Sequence, residues 1–239
     1  MDLLLFGSPG TVVETGRLER LAFNAAFDEL GLGLYWNVAT YCKLTGLASG
    51  PESLTTLVGE EWATGLVEEV LECKLKHLST YLEGGIEARE GVLDTIALCK
   101  QEGIRLGWVI DRPKEYVQLI LEATNDLSGD MFDRIFTAEQ LPARKPDPRI
   151  YPFVLGQFGF STDSVVAVED SSLNQSSALI ADIQCYLFPS EYSSVEHDIL
   201  LTRNLMTTVD MAHRSWMCGT SETQTVSYTH LTLPTTGIV

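Results

Sequence analysis

Short apolar runs without polar alternation, each followed by a helical pattern, limit what this chain can fold into more than any other feature. Residues 105–110, 134–137, 165–168 and 185–188 read as strands, and helices are expected over 91–101, 114–123, 148–158 and 174–181. A strand wetted on one side alternates polar with apolar residues; these do not, so both of their faces are covered. Strands of that kind separated by helices make an α/β fold, with a doubly covered parallel sheet and right-handed crossovers. Pro148 is expected in the first turn of its helix, where a missing N–H does no harm, and Pro152 is expected to distort that helix slightly.

A further run, Leu3 to Phe6, opens the chain and empties into Gly7, Ser8, Pro9 and Gly10 before Thr11, Val12, Val13, Glu14 and Thr15. It reads as a buried leading strand, and its carboxyl-end loop lies where open α/β sheets bind ligands. Residues 16–85 contain no convincing strand. Helices are expected there over 17–30, with Gly31 as stop signal, over 35–44 and over 66–82, with a turn at 48–52 and a hinge at Gly84 and Gly85. The domain plan is a core from 1–15 and 86–215 with a helical insertion over 16–85.

Charge closes off other classes. A formal net charge of −17 opposes binding to nucleic acid, which needs clustered Lys and Arg, and opposes an anionic membrane surface. No window approaches the roughly 20 apolar residues of a membrane helix, and no signal pattern opens the chain, so a cytoplasmic protein is expected. Cys42, Cys73, Cys99, Cys185 and Cys218 are scattered without metal-binding spacing; Cys73, Cys99 and Cys185 read as small buried hydrophobes. His77, His197, His213 and His230 form no ligand cluster in sequence, which speaks against a transition-metal site.

Four segments fall in order at the ends of four expected strands: LLLFGSPGTVVET from Leu3, LGWVIDRP from Leu106, ARKPDPRIY from Ala143 and VVAVEDS from Val165. Together they resemble the four motifs of the haloacid dehalogenase superfamily of aspartate-nucleophile phosphatases. The helical block resembles the cap of its beta-phosphoglucomutase-like branch, and ERLAFNAAFDELGL, YWNVATYCKL and FPSEYSSVEHD are similar to CbbY-like sugar-phosphate phosphatases. The resemblance implies a Rossmannoid core with an inserted α-helical cap.

It also implies a chemistry whose parts are largely missing. The family attacks phosphorus with an Asp at the end of the first strand and protonates the leaving oxygen with a second Asp two residues later. Those positions are Gly7 and Pro9 here, and the motif-two Ser or Thr that holds the phosphoryl group is Ile110. Gly10, Thr11 and Thr15 still match, and Glu14 replaces an acid that supports the loop. Asp111, next to Ile110, adds negative charge where the family prefers a neutral polar group. Lys145 matches the lysine that neutralises phosphate and nucleophile. Glu169 and Asp170 match the acidic pair, Asp170 being the magnesium ligand of the family, and Asp170 alone makes a weak Mg2+ site.

Two readings stay open for Lys145: a salt bridge to Asp170, or an anion contact. Gly10, Thr11, Asp111 and Lys145 are therefore the candidate ligand or phosphate contacts, with Glu169 and Asp170 as the candidate metal ligands. Ser8 is a poor replacement nucleophile without a histidine to activate it. Trp36, Tyr41 and Phe23 read as core. The expected function is a phosphatase-fold protein that has lost its chemistry and serves a binding role, toward a small phosphorylated metabolite, or a regulatory one. The alternative is an active hydrolase with another nucleophile. From Thr225 onward the sequence resembles a translated sequencing adapter and is set apart from the fold over 225–239.

Overall fold

The computed structural model describes residues 1–45, 64–193, 202 and 204–217; the turn expected at 48–52 and the segment 225–239 lie outside them. Five strands form one parallel sheet: β1 (Leu3–Phe6), β2 (Arg105–Val109), β3 (Arg134–Phe136), β4 (Val165–Glu169) and β5 (Gln184–Leu187), in the order β3-β2-β1-β4-β5. The order reverses between β1 and β4, whose registers pair Leu3 with Val165 and Phe6 with Val168. A crevice outside the carboxyl ends of the strands forms at such a reversal.

Period-two alternation divides β1 between two cores. Leu4 and Phe6 join Leu106, Trp108, Ile110 and Val168 on one face, whereas Leu3 and Leu5 join Val109, Tyr151, Val154 and Ala167 on the other. All four residues of β1 are fully buried, which is why the sequence there is continuously apolar. The first face is covered by α4 (Val92–Gln101), α5 (Lys114–Ala123) and α8 (Leu205–Met217), and the second by α6 (Ile150–Phe158) and α7 (Ser172–Ile180).

Between β1 and α4 run α1 (Gly16–Glu29), α2 (Val38–Thr45) and α3 (Thr64–Leu82), and among the described residues of that stretch there is no strand. They share a third core in which Phe23, Phe27, Trp36 and Tyr41 lie in ring contact. Gly31, at φ 65, and Gly103, at φ 71, follow α1 and α4 in a left-handed conformation that a side chain disfavours.

The helix expected over 35–44 begins at Val38, and three expectations in the sheet domain also need correction. The helix placed at 148–158 begins at Ile150, because Asp147 ties back the Arg149 amide and holds a turn there. Pro152 becomes its third residue, where the N–H is not needed. The helix placed at 174–181 begins two residues earlier, since Ser171 caps it by accepting the Asn174 N–H. Helix α8 was not anticipated, although Leu205 and Val209, one turn apart, bury one side of it against the sheet domain.

Candidate active site

The loop after β1 is a single 3-10 turn over Pro9–Thr11 in which Thr11 N–H donates to Ser8 O and Val12 N–H to Pro9 O. Pro at the first position suits such a turn because that N–H has no partner in it. The loop is clasped from outside by Arg89, whose Nη1 donates to Gly10 O and Phe188 O and whose Nη2 donates to Pro189 O. Its Nε lies 3.0 Å from Glu14 Oε1 and its guanidinium 3.5 Å from the centre of the Phe188 ring. Glu14, which also accepts the Glu191 N–H, has its pKa raised by burial despite these partners.

At Gly7 the space is taken. A Cβ there would fall 2.5 Å from Glu169 Oε1 and closer still to the carboxyl carbon and Oε2. The Glu169 carboxylate, from the end of β4, thus occupies the room in which a side chain on Gly7 would begin. It is held on both oxygens: Oε1 meets Lys145 Nζ at 2.5 Å and accepts from Tyr151 Oη at 2.5 Å, while Oε2 accepts the Ser8 N–H at 3.0 Å. Lys145 and Glu169 side chains are both 0% exposed. Lys145 Nζ also donates to Val109 O at 2.8 Å.

One of the two open readings paired Lys145 with Asp170; the carboxylate 2.5 Å from its ammonium is that of Glu169. With no side chain on Gly7, Glu169 extends over the end of β1 and meets the ammonium there. Asp170 feels the same charge from one residue further on. Burial first and the Glu169 charge second push its pKa up to about 6, against the pull of Lys145, Asn174 and Arg112. Its Oδ1 accepts from Asn174 Nδ2 at 3.2 Å, and Asn174 Nδ2 also donates to Ser8 Oγ at 2.7 Å.

The remaining sequence candidates divide. Gly10 lies against Asp170, since a Cβ there would overlap the Asp170 carboxylate. Thr11 turns its hydroxyl back onto Ser8 O at 2.8 Å. Ile110 packs into the apolar core. Asp111 points its Oδ2 at the Lys145 amide, 3.1 Å away, and so braces the loop carrying Lys145. Gly7, Gly10, Lys145, Glu169 and Asp170 are therefore brought together at the β1–β4 reversal.

Magnesium needs several oxygen ligands in octahedral array. Both Glu169 oxygens are engaged by donors, Pro9 O accepts from Val12 and Val13, and Gly7 has no side chain. Asp170 is left as the one carboxylate of the motif pair that is open to a cation, so this donor set does not fit the metal ion that the family generally uses.

Residues that the sequence alone did not single out complete the surroundings. Arg112, beside Asp111, has Nη1 buried with no hydrogen-bond partner among the described residues. Desolvation lowers its pKa, but Asp111, Glu19, Tyr116 and Tyr41 outweigh that and raise it overall. Glu19 of α1 pairs with Lys74 of α3 at 2.8 Å and accepts from Tyr116 Oη at 2.7 Å and Thr15 Oγ1 at 3.1 Å. Burial would raise the Glu19 pKa, yet Lys74, Arg112 and these hydrogen bonds hold it at about 2. The Lys74 ammonium also stands over the rings of Phe23 and Tyr116. Asn174, four residues past Asp170, had a helical spacing signal; Arg89 and Arg112 had none beyond their charge.

The chain matches the family model for haloacid dehalogenase-like hydrolase over residues 5–188. It belongs to the haloacid dehalogenase-like hydrolases. Its relatives place it in their CbbY-like branch: it is 27% identical over 201 residues to protein CbbY of Cereibacter sphaeroides, covering 82% of this chain and 87% of that protein. It is 30% identical over 206 residues to a plasmid-borne CbbY of Cupriavidus necator, covering 81% and 80%. Among solved structures, CbbY of Rhodobacter sphaeroides in complex with phosphate superposes with a TM-score of 0.75 at 28% identity, over 82% of this chain and 90% of that one. A mutant of the same protein in complex with xylulose-(1,5)bisphosphate gives a TM-score of 0.76 at 27% identity, over 84% and 93%. Among the described residues of this haloacid dehalogenase relative, no helix is long and apolar enough to cross a membrane.

Proposed function

We propose that this chain is a haloacid-dehalogenase-fold protein that binds a small phosphorylated metabolite of the sugar-phosphate class without turning it over, with residues 16–85 as its cap. The observation that carries this is the filled space at Gly7, where the immobilised Glu169 carboxylate stands in for an absent side chain and neutralises Lys145. The leaving-group acid is absent as well, since Pro9 has no proton to give. Nucleophile and acid each supply orders of magnitude in rate.

Support for binding comes from two sides. CbbY of Rhodobacter sphaeroides was crystallised with phosphate and, as a mutant, with a sugar bisphosphate. Of the cations around the site, Lys145 is matched to Glu169 and Lys74 to Glu19, whereas the Arg112 Nη1 donor has no partner among the described residues. A guanidinium in that position is suited to a phosphoryl oxygen.

The test is a pair of measurements on full-length protein. With Mg2+ and a panel of pentose and hexose phosphates, phosphate release should stay at background. Calorimetry should show binding of at least one sugar phosphate, weakened about tenfold or more in Arg112→Ala, in keeping with the ~1.5–3 kcal/mol of a hydrogen bond to a charged group. Release that scales with protein would overturn the loss of chemistry, and absence of binding across the panel would overturn the ligand class.

The second reading, an active hydrolase with another nucleophile, has one observation in its favour: what fills the vacated space is itself a carboxylate. Release that disappears in Glu169→Gln would establish it.

A further inference from the structure

Between two helices of the insertion, Glu29, Cys73 and His77 bring together an oxygen, a sulfur and a nitrogen that all lie within 4.8 Å of one another. Sequence spacing had suggested no ligand cluster for the histidines; the grouping around His77 draws on a second helix. Cys73 and His77 are one helical turn apart on α3, so their side chains share a face. Glu29, the last residue of α1, reaches that face because α1 and α3 pack along each other. We infer that these three side chains bind a zinc-class divalent ion, with a water or hydroxide completing the site.

The donor chemistry selects the metal. Thiolate, imidazole and carboxylate together suit Zn2+, whereas Mg2+ and Ca2+ take oxygen alone. A tetrahedral ion with bonds of about 2.0–2.3 Å draws its ligands to roughly 3–4 Å apart, so the present separations need only small side-chain adjustments. His77 Nε2 already lies 2.8 Å from Glu29 Oε2. A metal between them would replace that hydrogen bond with two coordination bonds.

Exposure fits an open fourth position. Cys73 is buried, the His77 side chain is 24% exposed and that of Glu29 43% exposed, so the cluster has a dry sulfur side and a wet carboxylate side. Lys76 Nζ holds the other Glu29 oxygen at 3.0 Å, which leaves Oε2 for the ion. The site shares no residue with the group around Gly7, Lys145 and Asp170, and is inferred independently of any ligand bound there.

Cobalt is the direct probe, because a cobalt–thiolate bond gives a near-ultraviolet charge-transfer band and tetrahedral cobalt an intense visible spectrum. Titrating Co2+ into the reduced, full-length protein should produce both at one equivalent, and Zn2+ should abolish them by displacement. Cys73→Ser should lose the charge-transfer band, and His77→Ala and Glu29→Gln should each weaken binding about tenfold or more. Glu29 is exposed, so its variant tests the site even where a change at Cys73 impairs folding; a thermal melt without metal checks each fold. Absence of the bands, or bands undiminished in Cys73→Ser and Glu29→Gln, would overturn the site.

Discussion

Among the described residues two ion pairs are buried, and they answer different needs. Lys145 and Glu169 meet at the β1–β4 reversal, both 0% exposed, and the carboxylate fills space that a side chain on Gly7 would have used. Glu19 and Lys74 meet between α1 and α3, each 8% exposed, and add hydrogen bonds from Tyr116 and Thr15 that tie the insertion to α5 and to the loop after β1. Both pairs face the same penalty for leaving water, which Coulomb attraction repays only where the other lone pairs are also satisfied. The first is a self-neutralising pair at the end of β1; the second is a bolt between insertion and core. Charge at an address typical of catalysis is therefore no measure of activity unless a partner is left free to act.

The largest effect should come from splitting the first pair. Lys145→Met strands a fully buried carboxylate and should cost about 3–5 kcal/mol in denaturant unfolding, with most of it recovered in Lys145→Met combined with Glu169→Leu. A loss below about 1 kcal/mol would mean that Glu169 reaches water easily, and the contrast between the pairs would collapse.

Acid should test the second pair. The folded-state value of Glu19, about 2, lies below its ordinary 4.5. Its contribution is therefore complete above pH 4.5 and drains away as the pH falls toward 2. Unfolding curves of wild type and Glu19→Gln from neutral to acid pH should converge over that window. Parallel curves would assign the acid sensitivity to other carboxylates.

A smaller change is expected from Arg89→Lys, which keeps the charge but loses the fork that spans three carbonyls; about 1–2 kcal/mol is reasonable. Smallest of all is Asp147→Asn. Asp147 has a pKa lowered to about 2 by hydrogen bonds from Arg149, but the pair is solvated, so the melting temperature should match wild type within error. A clear loss there would show that a low pKa alone signals stability.

The fold was legible where local signals were strong. Helix α5 begins at Lys114 as expected because Pro113 fixes the backbone just before it, and β1 is bounded by the break from Phe6 to Gly7. Helix α6 was misplaced because a proline suits several positions of a first turn, and the choice was made by Asp147. At the site, the absence of the family's side chains could be read directly from Gly7, Pro9 and Ile110. What filled the gap could not, since Ser8 and Glu169 are 161 residues apart and the direction of a long side chain has no local signature. The same holds for Glu29: the spacing of Cys73 and His77 is visible in one dimension, but their third partner comes from another helix.

Arg89 carries a consequence for anyone redesigning this protein. One side chain near the return from the insertion sets the positions of Gly10, Glu14, Phe188 and Pro189 together. The first loop is thus not a cassette. Its shape is written jointly by three distant stretches of chain, and a transplanted segment would inherit the clasp only if it offered a carbonyl and a carboxylate at the same two points.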